Sequence, residues 1–95
     1  MNQRLSSRSG IPRAKRRGAM RAPQAAFAQI ATKVRKRRVD LGLTQSDLAG
    51  LSNTGVRFVI DVEHGKPTIA LGKLLDVLSA LGLTLHIDPI QRGAS

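Results

Sequence analysis

From Pro23 onward, apolar residues recur at roughly helical spacing: Ala25, Phe27, Ile30, Ala31, Val34 and Leu41. Pro23 suits a first helical position and Gly42 a stop, so the pattern predicts a first helix over about 24–40. Thr44-Gln45-Ser46-Asp47 is a capping-box pattern. In it the Thr44 hydroxyl takes an orphan backbone N–H and Asp47 reaches back. A second helix therefore starts after Thr44, with Leu48 and Leu51 on its buried face. It is short, because Ser52-Asn53-Thr54-Gly55 is turn chemistry: Asn53 tolerates a left-handed backbone and Gly55 removes steric limits. A third helix is expected over about 55–64. On a 100° wheel Phe58, Val59 and Val62 point one way, and Val56, Arg57, Ile60 and Asp61 the other. His64-Gly65-Lys66-Pro67 ends it, with Gly65 suited to a left-handed position and Pro67 blocking continuation. A fourth helix over roughly 70–81 carries Leu71, Leu74, Leu75, Leu78 and Leu81 on one stripe, and Gly82 stops it. Leu83-Thr84-Leu85-His86-Ile87-Asp88 then alternates apolar and polar, the pattern of a half-buried strand closed by Pro89.

The expected fold is thus mainly α: four helices and a C-terminal β-strand. A single strand has unpaired edge groups and no sheet to join. Pairing with the same strand of a second copy, through Leu83, Leu85 and Ile87, supplies the partner and predicts a two-fold dimer. The chain has 95 residues, which bounds it to one domain. Its organisation reads as a disordered basic arm over 1–22, a folded domain over 23–82, a dimerisation strand over 83–88 and a tail over 89–95. The folded part, about 65 residues, is marginal alone, since a domain of that size buries only about 60% of its unfolded surface.

Charge sharpens this picture. Lys and Arg total 16 against 6 Asp and Glu, a net +10. Residues 1–24 hold seven bases and no acid. That arm carries Gly10, Pro12 and Gly18 and few large apolar groups, so it cannot offset the entropy of ordering. It can track the minor groove or backbone of a nucleic acid, or stay solvated. Its Arg-containing, acid-free start loosely fits a transit peptide with poor amphipathicity, and Met20 is an alternative start. Cysteine is absent, which excludes disulfides, thiol catalysis and cysteine-ligated metals. No cofactor or metal is expected. No apolar run approaches 18 residues, so no membrane span is expected. An enzyme is disfavoured: no nucleophile has a plausible His and acid partner, and no glycine loop cradles phosphate.

A capped short helix, a tight turn near Asn53 and a second short helix with a polar outward face form a helix-turn-helix. The first helix offers free N–H groups and a positive dipole end to a phosphate. The second projects side chains into the major groove, where base pairs present distinct donor and acceptor patterns. Leu41-Gly42-Leu43-Thr44-Gln45-Ser46-Asp47-Leu48-Ala49, with Arg57 through Thr68 (RFVIDVEHGKPT), resembles the phage-repressor/Cro-like, XRE-type helix-turn-helix family. Leu74 through Leu83 (LLDVLSALGL) plus the terminal strand is similar to the HipB-type antitoxin subgroup.

The resemblance covers about 30–88 and implies a four-helix lambda-repressor-like domain. It implies phosphate contacts from Thr44, Gln45, Gly55 and Lys66. It implies base contacts from Val56 and Arg57 and, one turn on, from Ile60 and Asp61. It also implies a structural ion pair between Arg38 and Glu63. The sequence departs from the family at Asn53, Thr54 and Gly55, where the family has glycine, an apolar residue and a Ser or Thr cap.

The residues leave several readings open. Arg57 can bind guanine O6 and N7 bidentately or only touch phosphate. Val56 and Ile60 can pack on a thymine methyl or lie under a loop. Asp61 can accept from a cytosine amino group or merely orient Arg57. The run Lys33-Val34-Arg35-Lys36-Arg37-Arg38 is either a solvated face or, through Arg35 among others, a set of phosphate contacts. His64 reads as a surface residue at a helix end, and His86 can face its symmetry mate across a dimer.

The function expected is a sequence-specific, dimeric autorepressor on a palindromic operator, in the bacterial cytoplasm on the nucleoid. The subgroup resemblance adds an antitoxin role with a HipA-like serine/threonine kinase toxin as partner. The alternatives are a stand-alone repressor, or a non-specific basic nucleic-acid-binding protein, which two aromatic residues serve poorly.

Overall fold

The computed structural model describes residues 22–90. The basic arm, apart from its last residue, and residues 91–95 of the tail lie outside them. Four helices follow one another: α1 Ala22–Asp40, α2 Gln45–Ser52, α3 Val56–Glu63 and α4 Leu71–Ala80. α2 packs against both α3 and α4, and α1 against α3.

Three connections are closed by the same device. At the end of α1 the Gly42 N–H donates to Val39 O at 2.9 Å and the Leu43 N–H to Arg38 O at 3.0 Å. The ends of α3 and α4 repeat it, at Gly65 and Lys66 and at Gly82 and Leu83. In each, a glycine with φ near +73° sits in the left-handed region and turns the chain away while satisfying the last carbonyls. The glycine stops expected at 42, 65 and 82 are therefore real helix terminations. α2 starts on the expected capping box. Thr44 Oγ1 accepts from the Asp47 N–H at 2.9 Å, and Asp47 Oδ2 accepts from the Thr44 N–H at 2.9 Å. This network holds the Asp47 carboxyl below its ordinary pKa, through the Thr44 backbone bond first and its side chain second.

The α2–α3 turn differs in detail from expectation. Asn53 alone takes the left-handed conformation, at φ 57° and ψ 41°. Gly55 is extended, at φ −100°, and serves as an N-cap with no side-chain bond. The backbone closure is the same as at the other helix ends, with the Asn53 N–H donating to Gly50 O at 3.2 Å and the Thr54 N–H to Ala49 O at 2.9 Å. Hydroxyls add to it: Ser52 Oγ donates to Leu48 O at 2.7 Å and lies 2.8 Å from Thr54 Oγ1.

The core gathers Val34 of α1, Leu48 and Ala49 of α2, Val59 and Val62 of α3, and Leu74, Val77, Leu78 and Leu81 at α4. Ile30, Leu43, Phe58, Ile69, Ala80 and Leu83 pack on its edge. Each fully buried Val or Leu contributes about 1.5–3 kcal/mol of burial free energy. Three predicted core positions are exposed instead: Leu51, Leu71 and Leu75. On α2 the inward face is Leu48, Ala49 and Ser52, whose two small side chains let α3 and α4 approach and leave Leu51 outside. On α4 the spacing Leu74, Val77, Leu78, Leu81 sets the buried stripe. Leu75 lies off that stripe, and Leu71 lies a turn beyond its end. Leu41, counted on the apolar face of the first helix, is also exposed, beyond the end of α1.

The expected C-terminal strand is not formed. Residues 83–90 carry no strand, and no strand occurs among the described residues. The reason is the one that motivated the dimer: a strand is defined by a ladder, and the single chain offers no partner edge. Leu83 packs on the core, while Leu85, Ile87 and Ile90 are exposed. No helix is long and apolar enough to cross a membrane, and no group of His, Cys, Asp or Glu could hold a metal, among the described residues.

Candidate DNA-binding surface

The surface is built on a buried ion pair. Arg38, near the end of α1, meets Glu63, the last residue of α3. Arg38 Nε donates to Glu63 Oε2 at 2.6 Å and Nη2 to Oε1 at 3.0 Å. Nη1 donates to Leu43 O at 2.8 Å, so one guanidinium ties α1, the α1–α2 turn and α3 together. The side chains are only 11% and 2% exposed. Burial works against the Glu63 charge. The bonds from Arg38 and Gln45 and the nearby charges of Arg38 and Arg35 outweigh it and hold the carboxyl below its ordinary pKa. The same bond to Glu63 raises the Arg38 pKa against the cost of its burial. This is the arrangement expected for the pair, with both groups turned inward.

Gln45 contributes in a way its position did not suggest. Its Nε2 donates to Glu63 Oε1 at 3.2 Å, so the first residue of α2 is pinned to the last residue of α3. The half-buried side chain braces the two motif helices. Thr44 stands beside it, exposed, with its hydroxyl engaged in the cap. Gly55 is exposed at the start of α3.

On α3 the outward face divides. Val56 and Arg57 are exposed, and Ile60 and Asp61 are half-buried. Val59 and Val62 face the core and Phe58 packs on its edge, with Lys73 Nζ 5.9 Å from the ring centre. Asp61 reaches Arg57 Nη2 at 3.1 Å and Lys66 Nζ at 3.6 Å. The structure therefore brings Arg57, Asp61 and Lys66 into one cluster beside Val56 and Ile60. Arg35 lies apart, exposed in an open groove of α1 with Ala31, Thr32, Lys36, Val39, Asp40 and Glu63. Arg37, unassigned by the sequence reading, donates to Leu81 O at 2.8 Å and clasps the end of α4 to α1. His64 is exposed at the end of α3 and His86 is exposed beyond the core.

A short, capped α2 and a three-residue turn thus lead to an α3 whose inner face is core and whose outer face is exposed and cationic at Arg57. The model of the helix-turn-helix family matches residues 34–87, more than half of the chain. An uncharacterized HTH-type transcriptional regulator, y4mF, of Sinorhizobium fredii (strain NBRC 101917 / NGR234) is 45% identical over 60 residues, which cover 63% of this chain and 79% of the relative. The segment shared with the family model begins at the buried Val34 and takes in the Arg38–Glu63 pair, the α2 cap and all of α3. The chain belongs to the XRE-type helix-turn-helix family, and the helical domain described above is its DNA-binding domain.

Proposed function

We propose that the protein is a sequence-specific transcriptional regulator that represses its own gene as a dimer on a palindromic operator. The observation that carries this is the split of α3: Val59 and Val62 are sealed in the core while Val56 and Arg57 are exposed on the opposite face. Such a helix is fixed from behind and presents its outer side chains to a groove. Arg57 supplies guanine recognition through O6 and N7, and Val56 and Ile60 supply apolar contact for a thymine methyl. Thr44, Gln45, Gly55 and Lys66 flank this face and set its register on phosphates, and Arg35 adds charge from α1.

The exposed Leu85 and Ile87 favour self-association of the 83–88 segment, with a strand formed only across the dimer. In that dimer two recognition helices about 34 Å apart read half-sites one helical turn apart. The likeness of 74–83 to HipB-type antitoxins supports a further role as antitoxin to a HipA-like kinase, and a kinase-like reading frame beside the gene is the observation that separates this from a stand-alone repressor.

The test is a fluorescence-anisotropy titration with the duplex upstream of the gene and with a shuffled duplex, at about 150 mM salt. Specific binding exceeds non-specific by at least about 10³. A gap of that size with two protomers per site is expected. Arg57→Ala should lower binding to the upstream duplex more than tenfold and leave the shuffled duplex nearly unchanged. Equal losses on both duplexes refute base reading by Arg57.

A further inference from the structure

Asp61 stands between two exposed cations of this surface, Arg57 and Lys66. Its Oδ1 lies 3.1 Å from Arg57 Nη2 and its Oδ2 3.6 Å from Lys66 Nζ. The cations come from different elements: Arg57 from the turn of α3 before Asp61, Lys66 from the loop after the helix. Lys66 is held to Asp61 twice, because its backbone N–H also donates to Asp61 O at 3.0 Å. That bond belongs to the helix ending in which Gly65 takes φ +73°. The Asp61 side chain is 17% exposed, against 77% for Arg57 and 50% for Lys66. The carboxylate is the recessed member and the two cations reach outward from it.

We propose that Asp61 is a specificity-determining residue: a shared counter-ion that withholds Arg57 and Lys66 from non-specific phosphate backbones. The inference rests on the reading of α3 as the base-reading helix. Specificity is a difference between two affinities, so weakening the wrong complex serves as well as strengthening the right one. Non-specific affinity arises from cations that neutralise phosphates and release counterions. Two cations sharing one carboxylate bring less net charge to a random duplex than two free ones. A guanidinium has five N–H donors in a fixed fork. Asp61 engages one side of the fork, and the remaining donors stay available to guanine O6 and N7. On a matched site the carboxylate thus orients Arg57. On a mismatched site it is a fixed negative charge among phosphates.

The experiment uses the full chain, with Asp61→Asn keeping the shape and removing the charge. Anisotropy titrations on the shuffled and upstream duplexes run from about 50 to 300 mM salt. On the shuffled duplex the variant should bind at least about threefold tighter than wild type, the scale of exposed ion pairs. Its log–log salt slope should steepen by up to about 0.9 per released cation. The upstream duplex gains less, so discrimination narrows. Unchanged affinity and slope on the shuffled duplex overturn the proposal.

Lys66→Met probes the same cluster from its exposed side, away from the core. A restrained lysine predicts a slope on the shuffled duplex that falls by well under about 0.9, and a fall of a full contact overturns the proposal. A wild-type protein that prefers neither duplex overturns the base-reading function instead. The shuffled-duplex slopes still decide whether Asp61 restrains the two cations.

Discussion

Arg38→Ala removes three hydrogen bonds and leaves the Glu63 carboxylate, 2% exposed, with Gln45 as its neutral donor. An isolated surface pair is worth about 0–1 kcal/mol. Breaking a buried one by deleting a single partner costs about 3–5 kcal/mol, because the other charge stays buried and uncompensated. A domain of about 70 residues has a total stability of roughly 3.5–10 kcal/mol. Arg38→Ala is therefore expected to consume a large share of the stability. At about 4–8 °C per kcal/mol, a 3 kcal/mol loss lowers Tm by about 12–24 °C.

The assay is a thermal melt followed by far-ultraviolet circular dichroism, which suits a helical chain without Trp or Tyr. The control is Arg38→Met combined with Glu63→Leu. Removing both charges together leaves no orphan, so the double variant should recover most of the loss. A fall of less than about 1 kcal/mol in Arg38→Ala, or a double variant as unstable as the single one, refutes the argument that burial makes the pair costly to break.

Other outcomes follow from the same contacts. The Glu63 pKa is lowered on folding, so its contribution is full above the unfolded value of about 4.3 and is lost as pH falls through the lower folded value. Tm should be flat from pH 7 to about 5 and drop below about 4, with a shallower acid drop in Glu63→Gln, which a pH series of melts would read. Thr44→Ala opens the capping box and should cost about 1 kcal/mol by denaturant titration. Gly50 is exposed within α2, and a Cβ there meets nothing within 4 Å. Gly50→Ala should therefore stabilise by about 0.5–1 kcal/mol, and a destabilised variant would contradict the open geometry.

The helices, their caps and their glycine ends were legible because each is a local signal. Thr44 with Asp47, Asn53, and Gly42, Gly65 and Gly82 act within a few residues of themselves. The inner face of α3 was legible from its wheel for the same reason. The α2 and α4 faces were harder. Leucine marks burial on average, but Ala49 and Ser52 took the close contact on α2, and Leu51 was left in solvent. That choice depends on how near α3 and α4 approach, which no local pattern encodes. The same holds for Gln45 on Glu63 and Arg37 on Leu81, bonds that span 18 and 44 residues. The pairing of Asp61 with Arg57 is an i,i+4 contact that spacing allows, but the arrival of Lys66 depends on the backbone turn at Gly65.

The packed interior closes at Leu81 and Leu83, and Leu85, Ile87 and Ile90 beyond it lie in the open. Among the described residues, substitutions at 85–90 thus leave the packed interior untouched. In evolutionary terms the 85–90 stretch is open to change without cost to the helical fold. Mutation there acts on association, and through the dimer on operator spacing, while the folding of the helical domain is spared. A change at Leu85, Ile87 or Ile90 is therefore filtered by what the segment binds, and a change at Leu81 by whether the domain folds.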